Sequence, residues 1–134
     1  MSTAPTLIRK VDPKTASGPA LKAFFNITER WKLDVEKQMI LLGSPARSTF
    51  FKWKKEKEGY LTMDTLERIS YVLGIFKALH ILLPDEDAAD AWVNKPNTAR
   101  IFGGRSALER MLSGQVSDLY VTRQYLDAQR GGRA

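Results

Sequence analysis

Cysteine is absent from the 134 residues, which removes disulfides, thiol nucleophiles and thiolate metal ligation together. Histidine is nearly as scarce. His80 stands alone in the apolar run ALHILL, where it is expected to fill a core or groove position instead of serving as a base. No apolar run reaches the length of a membrane span, because YVLGIFKALHILL carries Gly74, Lys77 and His80 and stops at Pro84. The N-terminus lacks an apolar secretory core. Phosphate-loop, GxSxG and HExxH patterns are missing, and the carboxylates show no paired spacing. No stretch alternates long enough to predict a strand. These absences predict an all-α, cytoplasmic protein with no membrane segment, no catalytic residues, no metal and no cofactor.

What is present is a basic charge of +6, unevenly placed. Residues 1–83 hold 14 Lys/Arg against 8 Asp/Glu, whereas residues 84–134 hold 7 against 7. A basic part joined to a neutral part points to a nucleic-acid-facing module attached to a segment with another task.

The stretch LDVEKQMILLGSPARSTFFKWKKEK, residues 33–57, reads as two short helices about a tight turn. Asp34 is placed to cap the first helix, and Gly43 falls where a helix end favours positive φ. Ser44 is expected to cap the second helix, with Pro45 at its first position. On that helix Ala46, Phe50 and Trp53 share an inner face. Such a pair with a basic outer surface is a helix-turn-helix signature. Arg47, Ser48 and Thr49 in the first turn would reach base edges, while Lys52, Lys54, Lys55 and Lys57 would lie nearer the phosphates. One such helix reads few bases, so a symmetric pair of subunits is expected on operator DNA. Phe51 is one aromatic more than the inner face needs; packing on the preceding helix and contact with a protein both remain open.

Around this pair the chain divides into an arm at 1–17, a helix-turn-helix domain at 18–83 and a second domain at 84–134. The arm is rich in Pro, Ser, Thr and Lys and shows no apolar period. A helix from Pro19 to Trp31, capped by Ser17, buries Leu21, Phe24, Phe25, Ile27 and Trp31. After a loop at Gly59, Thr62 or Asp64 caps a helix burying Leu66, Ile69, Val72 and Leu73, which Gly74 either ends or bends. The acidic residues following Pro84 suit a helix N-terminus. Gly103–Gly104 marks a turn before a helix with Ala107, Leu108, Met111 and Leu112 inside. FGGRS at 102–106 offers backbone N–H groups to an anion, but a plain tight turn is the simpler reading. The final helix, Val116 to Gln129, is expected to bury Val121, Tyr125 and Ala128 and to end at Gly131–Gly132.

The run W–x3–P–N–x4–F–G–G–x3–L–x3–L–x–G is carried by Trp92, Pro96, Asn97, Phe102, Gly103, Gly104, Leu108, Leu112 and Gly114. It resembles the toxin-binding domain of the Xre/MbcA/ParS antitoxins. Val121, Tyr125, Ala128 and Gly131 in the closing helix, and ERISYVLGIFKALHILLP before it, extend the resemblance over roughly residues 33–134. The resemblance implies a RES-domain toxin as partner, one that degrades NAD or transfers ADP-ribose from it. It implies a C-terminal domain that covers the toxin's active-site cleft, with the last helix near the NAD entrance. It also implies a Cro-like N-terminal domain that represses the operon.

Blocking a cleft requires an apolar centre and a few aromatic or arginine anchors, not catalysis. Phe102, Arg105, Tyr120, Arg123, Tyr125, Arg130 and Arg133 are the candidates for toxin contact. The alternative for Phe102 and Tyr125 is a place in a small helical core. The expected function is therefore neutralisation of a toxin together with autoregulation, as a homodimer within a toxin–antitoxin hetero-oligomer. The alternative is a stand-alone repressor whose C-terminal domain dimerises.

Overall fold

The computed structural model describes the backbone of residues 13–133 and the side chains of residues 17–131. Among the described residues seven α-helices follow in order: α1 (Pro13–Arg30), α2 (Val35–Leu41), α3 (Arg47–Glu56), α4 (Met63–Leu82), α5 (Glu86–Ala91), α6 (Ala107–Met111) and α7 (Val116–Arg133). Two 3-10 turns, Trp92–Asn94 and Arg100–Phe102, lie between α5 and α6. Among the described residues the one β pairing is an isolated antiparallel bridge between Pro96 and Ser106. The architecture is all-α, as the missing alternation predicts.

The long helix α4 is the axis. It packs most extensively against α7 and next against α1. Ile69, Val72, Ile75, Ala78 and Leu79 are buried in it, joined by Leu21, Phe24 and Phe25 of α1, by Trp31 just after α1, and by Leu119 and Leu126 of α7. Contacts pair Arg68 with Gly114, Tyr71 with Tyr120, and Gly74 with Arg123. Position thus rises along both helices together, and α4 and α7 run parallel. The apolar set expected in α1 is all buried, and of the set expected in α4, Leu66, Ile69 and Val72 are buried while Leu73 is half-buried.

Several local expectations are corrected. Helix α1 begins at Pro13, so residues 13–17 are helical and Ser17 is a buried residue within the helix, not its cap. The rest of the expected arm, residues 1–12, lies outside the described residues. Ser44 does not cap α3. Its N–H donates to Met39 O at 2.8 Å while Gly43 N–H donates to Ile40 O at 3.0 Å, so the two residues close α2 in a Schellman-type turn. Ser44 has φ of 59°, the N-cap position falls to Ala46, and Ala46 is exposed instead of lying on the inner face. In α7 the buried set is Leu119, Thr122 and Leu126, with Val121 and Tyr125 half-buried and Ala128 exposed. Thr122 can be buried because its hydroxyl donates to Asp118 O at 2.8 Å. Helix α7 also continues through Gly131 and Gly132 to Arg133. Gly74 neither ends nor interrupts α4.

The expected caps at Asp34 and Thr62 are present, accepting from the backbone N–H of Lys37 and Thr65, and Asp85 caps α5 in the same way through Ala88 N–H. The acidic start of α5 has a further use. Arg30, from the end of α1, binds Asp90 at 2.9 Å and Glu86 at 3.2 Å, and His80 Nε2 lies 2.9 Å from the same Asp90. His80 stacks at 4.2 Å on Phe76, so it occupies a half-buried junction of α1, α4 and α5.

Candidate functional site

Two surfaces carry the candidate residues. The first is the outer face of α3. Phe50 and Trp53 are buried, and Phe50 meets Phe25 of α1 edge to face at 5.7 Å. That packing turns Arg47, Ser48, Phe51, Lys52 and Lys55 outward together, at i, i+1, i+4, i+5 and i+8. Thr49 is half-buried at the margin. Lys54 is elsewhere: its Nζ donates to Gln38 Oε1 at 3.3 Å and lies over the Phe50 ring at 5.9 Å. Gln38 in turn donates to Thr28 Oγ1 at 2.9 Å, so a polar chain joins α3, α2 and α1 through the core. Lys57 also turns inward, with Nζ bonded to Lys54 O and held over Phe25. Lys54 and Lys57, expected near phosphates, therefore brace the helix pair.

Arg47 is exposed but engaged. Its guanidinium binds Glu36 at 2.7 Å and lies 5.5 Å from the Phe51 ring centre. Phe51 is 44% exposed, set edge to face on Phe50 at 5.2 Å.

The second surface lies in the C-terminal part. Asn97 organises the loop before α6. Its backbone N–H donates to Arg105 O, its carbonyl accepts from Gly104 N–H, and its side chain accepts from Ala99 N–H at 2.8 Å. Gly103 and Gly104 turn the chain with φ of 58° and 87°, where a Cβ would find space but not an easy backbone conformation. Every N–H of this turn is spoken for: Gly103 to Ala99 O, Arg105 to Phe102 O, and Ser106 to Glu109 Oε1 in a capping box. FGGRS is thus a tight turn with no N–H left to cradle an anion.

The turn drives Phe102 inward. It is 4% exposed, edge to face with Trp92 at 5.9 Å and with Tyr125 at 5.4 Å. Arg110 secures the loop by bonding Ile101 O and Asp118, and Ser113 donates to the other oxygen of Asp118 at 2.6 Å. The Ser113 hydroxyl and then Arg110 hold the Asp118 carboxyl below its ordinary range, against the opposing effect of burial.

Tyr120, Arg123 and Arg130 share a stripe on α7 at i, i+3 and i+10. Tyr120 is 43% exposed and meets Tyr71 of α4 edge to face at 5.7 Å. Tyr71 donates to Glu67 at 2.8 Å, and that bond raises its hydroxyl above the ordinary range. Arg123 lies across Gly74, where an added Cβ would come within 2.4 Å of its Nε. The missing side chain makes the seat for the arginine. Arg123 and Arg130 both pair with Asp127, and Ile81 lies exposed beside them. Arg105 is exposed on the loop, apart from this stripe. The side chain of Arg133 lies outside the described residues. Residues 67–74 had no signal in the sequence as part of this surface, because only the parallel alignment of α4 and α7 brings them there.

Residues 78–132 match the antitoxin Xre/MbcA/ParS C-terminal toxin-binding domain, and residues 10–74 match the antitoxin Xre-like helix-turn-helix domain. The chain belongs to the Xre/MbcA/ParS antitoxin family. A curated relative, "Uncharacterized protein y4oB" of Sinorhizobium fredii, is 57% identical over 112 residues, covering 84% of each chain. In this antitoxin the resemblance seen in the tryptophan-to-glycine run rests on the loop just described. The family places a toxin-binding unit on α5 to α7 with the end of α4, and a helix-turn-helix unit on α1 to α4. No described helix is long and apolar enough to cross a membrane.

Proposed function

We propose that this antitoxin neutralises a RES-domain toxin by covering its active-site cleft, and that it does so in the cytoplasm without chemistry of its own. The stripe on α7 supports this reading best. Tyr120, Arg123 and Arg130 are the residue types that anchor interfaces, and the Tyr71 ring and Ile81 supply apolar area beside them. Arg105 extends the contact from the loop. Phe102 and Tyr125 support it from beneath by fixing the loop to α7. Arg123 and Arg130 share one carboxylate, Asp127, so the pair keeps a net positive charge for an acidic cleft margin.

The second activity is repression of its own operon. Lys52 and Lys55 contact phosphates while the first turn of α3 enters the major groove, in a dimer that matches two half-sites.

Co-expression with the adjacent RES-domain toxin tests the first reading. The wild-type chain is expected to restore growth and cellular NAD. A Tyr120→Ala, Arg130→Glu variant is expected to fold with unchanged helicity yet fail to protect. Full protection by that variant would remove the stripe from the interface. A chain that protects against no RES-domain toxin and only represses its operon would be a stand-alone repressor.

A further inference from the structure

The outer face of α3 holds a large apolar ring at its centre. Phe51 is surrounded there by Arg47, Ser48, Lys52 and Lys55, and the helix carries no carboxylate before Glu56. A protein-docking patch would continue the apolar surface onto neighbours of the same helix, and here every outward neighbour is polar or cationic. The charge suits a phosphate backbone, and the ring requires an apolar group within it.

DNA offers one such group in the major groove, the C5 methyl of thymine, and Phe is among the side chains that contact it. We propose that Phe51 is a specificity-determining residue that reads a thymine methyl. The inference rests on the DNA reading of α3 proposed above. Two features of the geometry favour it. The ring is already held by its edge-to-face contact with buried Phe50, so little rotamer freedom is lost on binding. Arg47, the residue that would otherwise read guanine with a two-pronged contact, is drawn to Glu36 and laid on the Phe51 ring. Ser48 and Phe51 are left as the groups free to meet base edges, flanked by Lys52 and Lys55.

The test uses the full chain and the promoter fragment upstream of its own gene, amplified either with thymine or with deoxyuridine in its place. Uracil removes the methyl and keeps every pairing edge. Wild-type protein is expected to bind the thymine fragment more tightly, by about fourfold for each methyl buried and about fifteenfold for a symmetric pair. Phe51→Ala should lose that preference while its affinity for the uracil fragment stays near wild type. Lys52→Ala should weaken binding to both fragments alike and keep the preference. A Phe51→Ala protein that retains the wild-type preference would overturn the proposal while leaving the DNA reading intact, as would a wild-type protein that binds both fragments equally. Failure of the wild type to bind either fragment above random competitor DNA would overturn the DNA reading and this inference with it.

Discussion

The loop before α6 and the outer face of α3 are opposites. In the loop, the residues that identify the family are structural: Phe102 is buried, Asn97 spends its polar groups on the backbone, and the glycines supply turn geometry. On α3, the outward side chains are exposed, with Arg47, Ser48, Lys52 and Lys55 set around the Phe51 ring. The residues that carry the family resemblance thus have structural work within the chain, while the outward residues of α3 have little.

Substitutions can break or sharpen that contrast. The largest effect is expected at Phe102→Ala, which should cost about 3–4 kcal/mol in denaturant unfolding by emptying the space between Trp92 and Tyr125. Next comes Asp118→Asn. It removes the charge-assisted bonds of Ser113 and Arg110 and should cost about 1–2 kcal/mol near neutrality. Because folding lowers the Asp118 pKa, its contribution is present above the ordinary value of 3.8 and is lost as pH falls through the folded value. The gap between wild type and Asp118→Asn should therefore close in acid, as thermal melts across that range would show. A gap that persists undiminished at low pH would mean that the carboxylate charge is not what holds the loop.

Lys54→Ala is expected to cost about 1 kcal/mol by leaving buried Gln38 short of a partner, with little change in the salt dependence of DNA binding. Lys52→Ala with Lys55→Ala should reverse that result. Stability should stay within about 0.5 kcal/mol, while the slope of log affinity against log salt should fall by about 1.8 per subunit. Equal salt slopes for the two sets would erase the distinction between bracing and reading lysines.

Much of this was legible in the sequence. The caps at Asp34 and Thr62, the acidic start of α5, the apolar spacing of α1 and the two glycines of the loop all follow from local chemistry. The misreadings have particular causes. The face expected in α7, Val121, Tyr125 and Ala128, omits Thr122, yet a hydroxyl that bonds its own helix can be buried, and the inner face runs through Leu119, Thr122 and Leu126. Ser44 and Pro45 resemble a helix start, but the unsatisfied carbonyls at the end of α2 claimed Ser44 first. Gly131 and Gly132 weaken a helix by about 1 kcal/mol each, which is too little to stop one that is already propagating. Lys54 is expected near the phosphates from its place in a basic run, but its stem and ammonium have aromatic and amide partners within reach. The seat of Arg123 on Gly74 depends on how two helices align across 49 residues of chain, which no local pattern encodes.

The shared helix α4 has a consequence for inheritance. Its first turns hold Arg68, which lies against Gly43 of the turn between α2 and α3 and donates to Gly114 O before α7. Its later turns bury Ala78 and Leu79 in the core beside α7. A recombination event that exchanged only the helix-turn-helix half between relatives would have to supply an α4 fitted to a foreign α7. The two halves are thereby inherited as a unit, and divergence must proceed by changing outward side chains in place.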